Sequence, residues 1–139
     1  MRNIASIILG LTVGGLVVHF IDMFNYELLT ISINEESLYE NDPAVISEFT
    51  ANLPTKALFA LLCSRMAGVF VGSFLSNLLA GIRRFIPALS TGVILSCLYG
   101  IEVISLPHAT WYSITVVALS IPVAFLAHKL YLTIVIVPR

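Results

Sequence analysis

Residues 55–84 read TKALFALLCSRMAGVFVGSFLSNLLAGIRR, and this stretch decides the fold. Between Lys56 and the Arg83–Arg84 pair the only charge is Arg65. The apolar run therefore exceeds the roughly 20 residues a helix needs to cross the hydrocarbon core of a bilayer, and it ends on a basic stop. Within it Ala60, Ser64, Gly68, Gly72, Ser76 and Ala80 place a small residue at every fourth position. Lipid tails are as apolar as leucine, so helices in a bilayer gain from close backbone approach, which small residues at i and i+4 permit. The stretch predicts a membrane helix with one smooth face turned toward another helix.

Three more runs of the same kind flank it. Residues 4–24 (IASIILGLTVGGLVVHFIDMF), 87–105 and 111–132 join residues 56–82 as four expected spans. The fold class that follows is all-α, a single transmembrane domain over residues 1–139 in which four transmembrane helices form an integral membrane bundle. Composition agrees, with 58% hydrophobic and 11% charged residues, against about 45–50% and about 25% in soluble domains. The first run lacks the short apolar core and small-residue cleavage site of a signal peptide, so it is expected to stay as a helix.

Residues 25–55 form the expected outer loop. They carry Glu27, Glu35, Glu36, Glu40, Asp42 and Glu48 and no Lys or Arg. Asp42 as N-cap and Pro43 at the first helical position predict a short extramembrane amphipathic helix between spans one and two, with Val45, Ile46, Phe49 and Leu53 on one face. Pro87 opens the third span, Thr110 is placed to cap the fourth, and Trp111 and Tyr112 have the position of an interfacial aromatic pair. Pro122 should kink the fourth helix or free a backbone carbonyl.

Basic residues set the orientation. With the N-terminus inside, Arg2, Arg83, Arg84, Lys129 and Arg139 are cytoplasmic and only Lys56 flanks a span outside. The expectation is a bacterial inner-membrane protein with both termini cytoplasmic.

Small-residue ladders continue in the first span, at Ser6, Gly10 and Gly14, and in the third, at Ala88, Gly92, Ser96 and Gly100. With Gly68, Gly72 and Ser76 they mark the expected helix contacts. The ionisable residues inside the spans are His19, Asp22, Arg65 and Glu102, and such groups normally face a partner or a cavity. At 1.5 Å per residue from the cytoplasmic boundary they come to about 22, 27, 26 and 24 Å respectively, all in the outer third of the bilayer. His19 and Asp22 share a face at i, i+3, which reads as nearly opposite the Ser6–Gly10–Gly14 stripe. Arg65 should pair with Asp22 or Glu102, with His19 close by. Two readings stay open, a structural ion-pair network or a proton- or ligand-binding site opening outward. Cys63 and Cys97 read as small core residues about 10 Å apart in depth, too far for a disulfide.

No catalytic motif is found, neither H-E-x-x-H nor G-x-S-x-G nor a P-loop. His19 and His128 fall at opposite depths, so no metal or cofactor is expected, and no basic cluster suggests nucleic acid. The expected partners are the lipid bilayer and either another membrane protein or a second copy of the chain.

The order of a Gly-rich first helix ending VVHFIDMF, an acidic segment with NDPAVISEFTANLP and then GVFVGSFLSNLLAG resembles small four-helix membrane proteins of bacteria with no established activity. The likeness covers most of the chain. Small multidrug exporters differ in a deeper lone acid and a shorter chain without this loop, and fluoride channels in a third-helix motif that has no counterpart here. The resemblance implies a four-helix membrane fold and no reaction. The functional expectation is a non-catalytic accessory or scaffold subunit; the alternative is a small oligomeric transporter or channel using the outer polar cluster.

Reporter fusions test the topology. Fusions at Arg139 and between Arg83 and Pro87 should report cytoplasm, and one near Glu36 the outer side. A cytoplasmic signal at Glu36 would overturn the map.

Overall fold

The computed structural model describes residues 2–30, 53–81, 85–105 and 109–136. The expected amphipathic helix, with Asp42 and Pro43, and the Arg83–Arg84 stop lie outside the described residues.

Four helices make up the described chain: α1 (Arg2–Thr30), α2 (Thr55–Ala80), α3 (Ile86–Ser105) and α4 (Thr110–Tyr131), the last prolonged by a π-helical turn at Leu132–Ile136. Each contains a segment long and apolar enough to cross a membrane, namely Asn3–Asn25, Thr55–Ala80, Ile86–Ser105 and Thr110–Val135. Residues 25–30, expected in the loop, continue α1. Their sequence holds no Pro or Gly to stop the helix.

Local chemistry explains the ends. Gly81 closes α2 at φ 62°, the left-handed conformation glycine adopts without penalty, and its N–H donates to the Asn77 carbonyl. Pro54 precedes α2, and its carbonyl accepts from the N–H groups of Ala57 and Leu58. Pro87 sits in the first turn of α3, where a missing N–H costs no helical bond. At α4 the cap is Ala109, with no side-chain hydrogen bond, and Thr110 is already helical. The expected Thr110 cap is corrected, because its hydroxyl stands one residue past the capping position.

Helix α2 is the hub. It packs most extensively on α1 and also contacts α3 and α4, which contact each other, while α1 touches α3 more lightly. The α1–α2 seam is a backbone contact. A Cβ added at Gly10 would stand 2.6 Å from the Gly72 carbonyl oxygen, and one at Gly14 would stand 2.8 Å from that of Gly68. The converse additions meet the Gly10 carbonyl at 2.6 Å and the Gly14 carbonyl at 2.7 Å. On the other flank Gly92 of α3 packs directly on Ala124 of α4. Gly100 does not share this role, since its nearest neighbour would be Val117 Cγ2 at 3.9 Å. The ladder stops there because the α3–α4 approach is closest one to two turns earlier.

The interior mixes apolar residues such as Val18, Leu62, Val69, Leu95 and Val116 with many polar ones, and the exterior is apolar. Ser6, Ser64, Ser73, Ser76, Asn77, Thr91, Ser96, Ser120 and His128 are buried, whereas Ile4, Leu16, Phe20, Phe24, Ile104 and Ile114 are exposed. Several buried hydroxyls donate to carbonyls, Ser64 to Val18 and Ser96 to Val117 between helices, Ser120 to Val116 within α4, whereas Ser73 Oγ has no hydrogen-bond partner. The last two acceptors lie just before Ala118, whose carbonyl Pro122 deprives of its helical donor. Cys63 and Cys97 are free and exposed, not core residues. They lie off the small-residue faces, and a thiol is apolar enough to face an apolar medium. Trp111 is exposed and lies tilted against Phe59, ring centroids 5.2 Å apart, while Tyr112 is buried. The two neighbouring rings meet edge to face with centroids 6.2 Å apart, so they do pair, with Trp111 as the outward member.

The seam yields a contrast between two glycines of one helix. Gly10→Ala should lower stability by about 1–3 kcal/mol, because its Cβ meets backbone that cannot rotate away. Gly15→Ala, which would meet nothing within 4 Å, should be neutral. Thermal unfolding in detergent measures both, and equal midpoints would refute the backbone contact.

Candidate functional site

Three helices bring three charges together at the end of the bundle away from Gly10 and Ser76. Arg65 Nη1 donates to Asp22 Oδ2 at 2.5 Å, and Nη2 donates to Glu102 Oε1 at 2.6 Å. The guanidinium is thus split between two acids, one nitrogen to each. Its Cζ also lies 5.6 Å from the centroid of the Tyr99 ring, one turn before Glu102 on α3.

The seam positions the site. Facing glycines hold α1 against α2, which puts the Val18 carbonyl within 3.2 Å of Ser64 Oγ. Asp22 lies one turn beyond Val18 and Arg65 next to Ser64, so both enter the same gap. Tyr99 fills the α3 side, its hydroxyl 3.4 Å from where a Cβ on Gly68 would stand. The residues that pack the helices therefore also set the reach of the ion pairs.

Burial is uneven. The Arg65 side chain is 10% exposed, that of Asp22 27% and that of Glu102 34%. Arg65 is the enclosed member, and removing it would strand two carboxylates. Asp22 Oδ1, Arg65 Nε and Tyr99 Oη are buried and accept or donate no hydrogen bond. The formal charge of the triad is −1.

His19 does not join. It is exposed on α1 and directed away from the triad's gap. The reading that set Asp22 opposite the Ser6–Gly10–Gly14 stripe is corrected as well: Ser6, Gly10, Gly14 and Val18 are all buried, and Asp22 continues that line. Each i+4 step drifts only about 40° around a helix, so two steps from Gly14 leave Asp22 on the α2 side, while five residues carry His19 about 140° away.

Sequence reasoning missed a second polar site at the opposite end. Asn77 of α2 accepts the Ala88 N–H on Oδ1 at 3.2 Å and meets His128 Nδ1 through Nδ2 at 2.8 Å. The Ala88 N–H can only donate, which fixes the amide orientation; Nδ2 must then donate to Nδ1. His128 is consequently neutral, with its proton on Nε2. Asn77 serves as a cap supplied from another helix, satisfying a first-turn N–H of α3. Beside it the Pro87 carbonyl accepts from Ser76 Oγ and Thr91 Oγ1, at 3.2 and 2.9 Å. The available signal was an asparagine inside an apolar helix, directly after the ladder residue Ser76.

Among the described residues no three His, Cys, Asp or Glu side chains come together as a metal set. The triad can hold helices together and neutralise charge; it presents no nucleophile beside a base.

No family model matches the chain, and comparison with curated proteins and with solved structures finds no match either.

Charge counting orders the variants. Arg65→Leu should cost about 3 kcal/mol, the low end of the range for breaking a buried pair because both acids are partly exposed. Asp22→Asn or Glu102→Gln alone should cost less, since each leaves the arginine one carboxylate. Neutralising both acids in the Arg65→Leu background should restore most of the loss, as one alone should not. Chemical denaturation in mixed micelles reads the series, and an Arg65→Leu chain as stable as the parent would mean the triad holds nothing together.

Proposed function

We propose that this chain is a four-span protein of the bacterial inner membrane, with both termini cytoplasmic, and acts as a non-catalytic accessory or scaffold subunit. The observation that carries the reading is the engagement of Arg65 by two acids at once. Its two terminal nitrogens each donate to a carboxylate from a different helix. A guanidinium so engaged ties helices together, and its charge is already compensated by two carboxylates. The apolar exterior and the enclosure of polar side chains between helices support the membrane placement, since apolar side chains facing lipid and polar groups turned inward are what a bilayer requires. The positive-inside bias of Arg2, Arg83, Arg84, Lys129 and Arg139 supports the orientation.

On this reading the triad is a clasp on the outer side, and the protein contributes surface to another membrane component. A transporter would instead need the charges for its cycle.

The test separates folding from charge. A chain with Arg65→Leu, Asp22→Asn and Glu102→Gln together should fold and, in a deletion strain, restore the parental phenotype. Normal folding with loss of the phenotype would overturn the scaffold reading and favour transport. Carbonate extraction checks the membrane placement separately, and the chain should remain with the membranes.

A further inference from the structure

The Asn77–His128 pair has an unused half. His128 is 5% exposed, its Nδ1 is occupied by Asn77, and its Nε2, which carries the proton, makes no hydrogen bond among the described residues. The ring lines a crevice between the start of α3 and the end of α4, together with Phe85, Ala88, Leu89, Ala124 and Phe125. Its interior has room for about one water-sized group. Phe85 and Phe125 flank it, with ring centroids 6.2 and 6.5 Å from that of His128. Next in sequence, Lys129 holds its Nζ 5.2 Å from the Phe125 centroid.

We propose that this crevice is a headgroup site for an anionic phospholipid, in which one phosphate oxygen accepts from His128 Nε2 and the phosphate charge rests beside Lys129 Nζ. Three features select that ligand. The crevice has room for about one water-sized group, so the phosphorus stays outside it, and Lys129 Nζ lies over the ring of Phe125, one of its walls. Its level is the first turn of α3, the end of a helix of spanning length, where headgroups lie. Its surroundings are apolar and exposed, with Phe85, Val93, Ile121 and Phe125 all open, a surface suited to acyl chains and unsuited to a soluble phosphate ester. The Asn77 bond contributes by fixing the tautomer, because a proton on Nδ1 would turn the donor away.

The inference rests on the membrane placement proposed above. Carbonate extraction tests that placement alone, so a chain that stays in the membrane yet shows no lipid preference overturns only the present proposal.

Purified full-length protein in a neutral detergent is titrated with dioleoylphosphatidylglycerol, with dioleoylphosphatidylcholine and with inorganic phosphate, reading retained lipid by native mass spectrometry and the unfolding midpoint. The expected result is retention and a raised midpoint with phosphatidylglycerol alone. Lys129→Gln should weaken it by about fivefold. Leu89→Trp, which fills the crevice from the α3 side and leaves Asn77 and His128 themselves in place, should abolish most of it while leaving the lipid-free midpoint near the parent's. Equal effects of the two lipids, a midpoint shift produced by inorganic phosphate alone, or folded Leu89→Trp protein that binds phosphatidylglycerol like the parent would each overturn the assignment.

Discussion

The distance between α1 and α2 is set by backbone touching backbone, and the rest of the structure depends on it. Gly10 faces Gly72 and Gly14 faces Gly68, each against a carbonyl oxygen. Where no water is available to drive apolar burial, such close approach is the main packing gain open to a helix pair. It also has a chemical consequence one turn further along. Only at this spacing does Ser64 reach the Val18 carbonyl and Arg65 reach Asp22. An arginine side chain is long enough to absorb a small widening, but Ser64 is not, so the serine bond is the sensitive gauge of the seam.

The two polar sites differ in kind. At one end a cation and two anions meet, and the electrostatic attraction grows as the surroundings become less polar, as does the cost of any unpaired charge. At the other end every partner is neutral: an amide, an imidazole, a backbone N–H and a proline carbonyl bridged by hydroxyls. Directional bonds of that type fix register more than they add energy. Helix α2 carries a member of each site, Arg65 and Asn77, twelve residues apart, so its rotation about its own axis is pinned at both ends.

Much of this was legible in the chain, and the failures share a cause. Span lengths and the small-residue ladder of α2 follow from one-dimensional spacing, as does the common depth of Asp22, Arg65 and Glu102, because rise per residue is constant in a helix. Angle is harder. The placement of Asp22 opposite its own ladder and the inclusion of His19 were errors of helical azimuth, which accumulate with each step and depend on how helices cross. Gly100 looked like a ladder residue because spacing alone does not tell where two helices diverge. Asn77 and His128 stand 51 residues apart. Nothing in either neighbourhood names the other, and only the fold brings them together.

The contacts divide the bundle unequally. Helices α2, α3 and α4 are mutually in contact and joined by Asn77, His128, Ser76 and Ser96, so any one of them is held by two neighbours. Helix α1 is held chiefly by one. Among the described residues its interhelical polar ties are the Ser64–Val18 bond and the Arg65–Asp22 pair, both to α2. Its link to α3 through the charges is indirect, since Asp22 and Glu102 share one guanidinium. Among the described residues Arg65 is therefore the charged bridge between α1 and α3. Loss of either acid breaks the bridge without exposing a lone cation, and loss of the arginine breaks it while setting two like charges side by side. The seam glycines and the triad thus act together on the α1 contact, the first by shape and the second by charge.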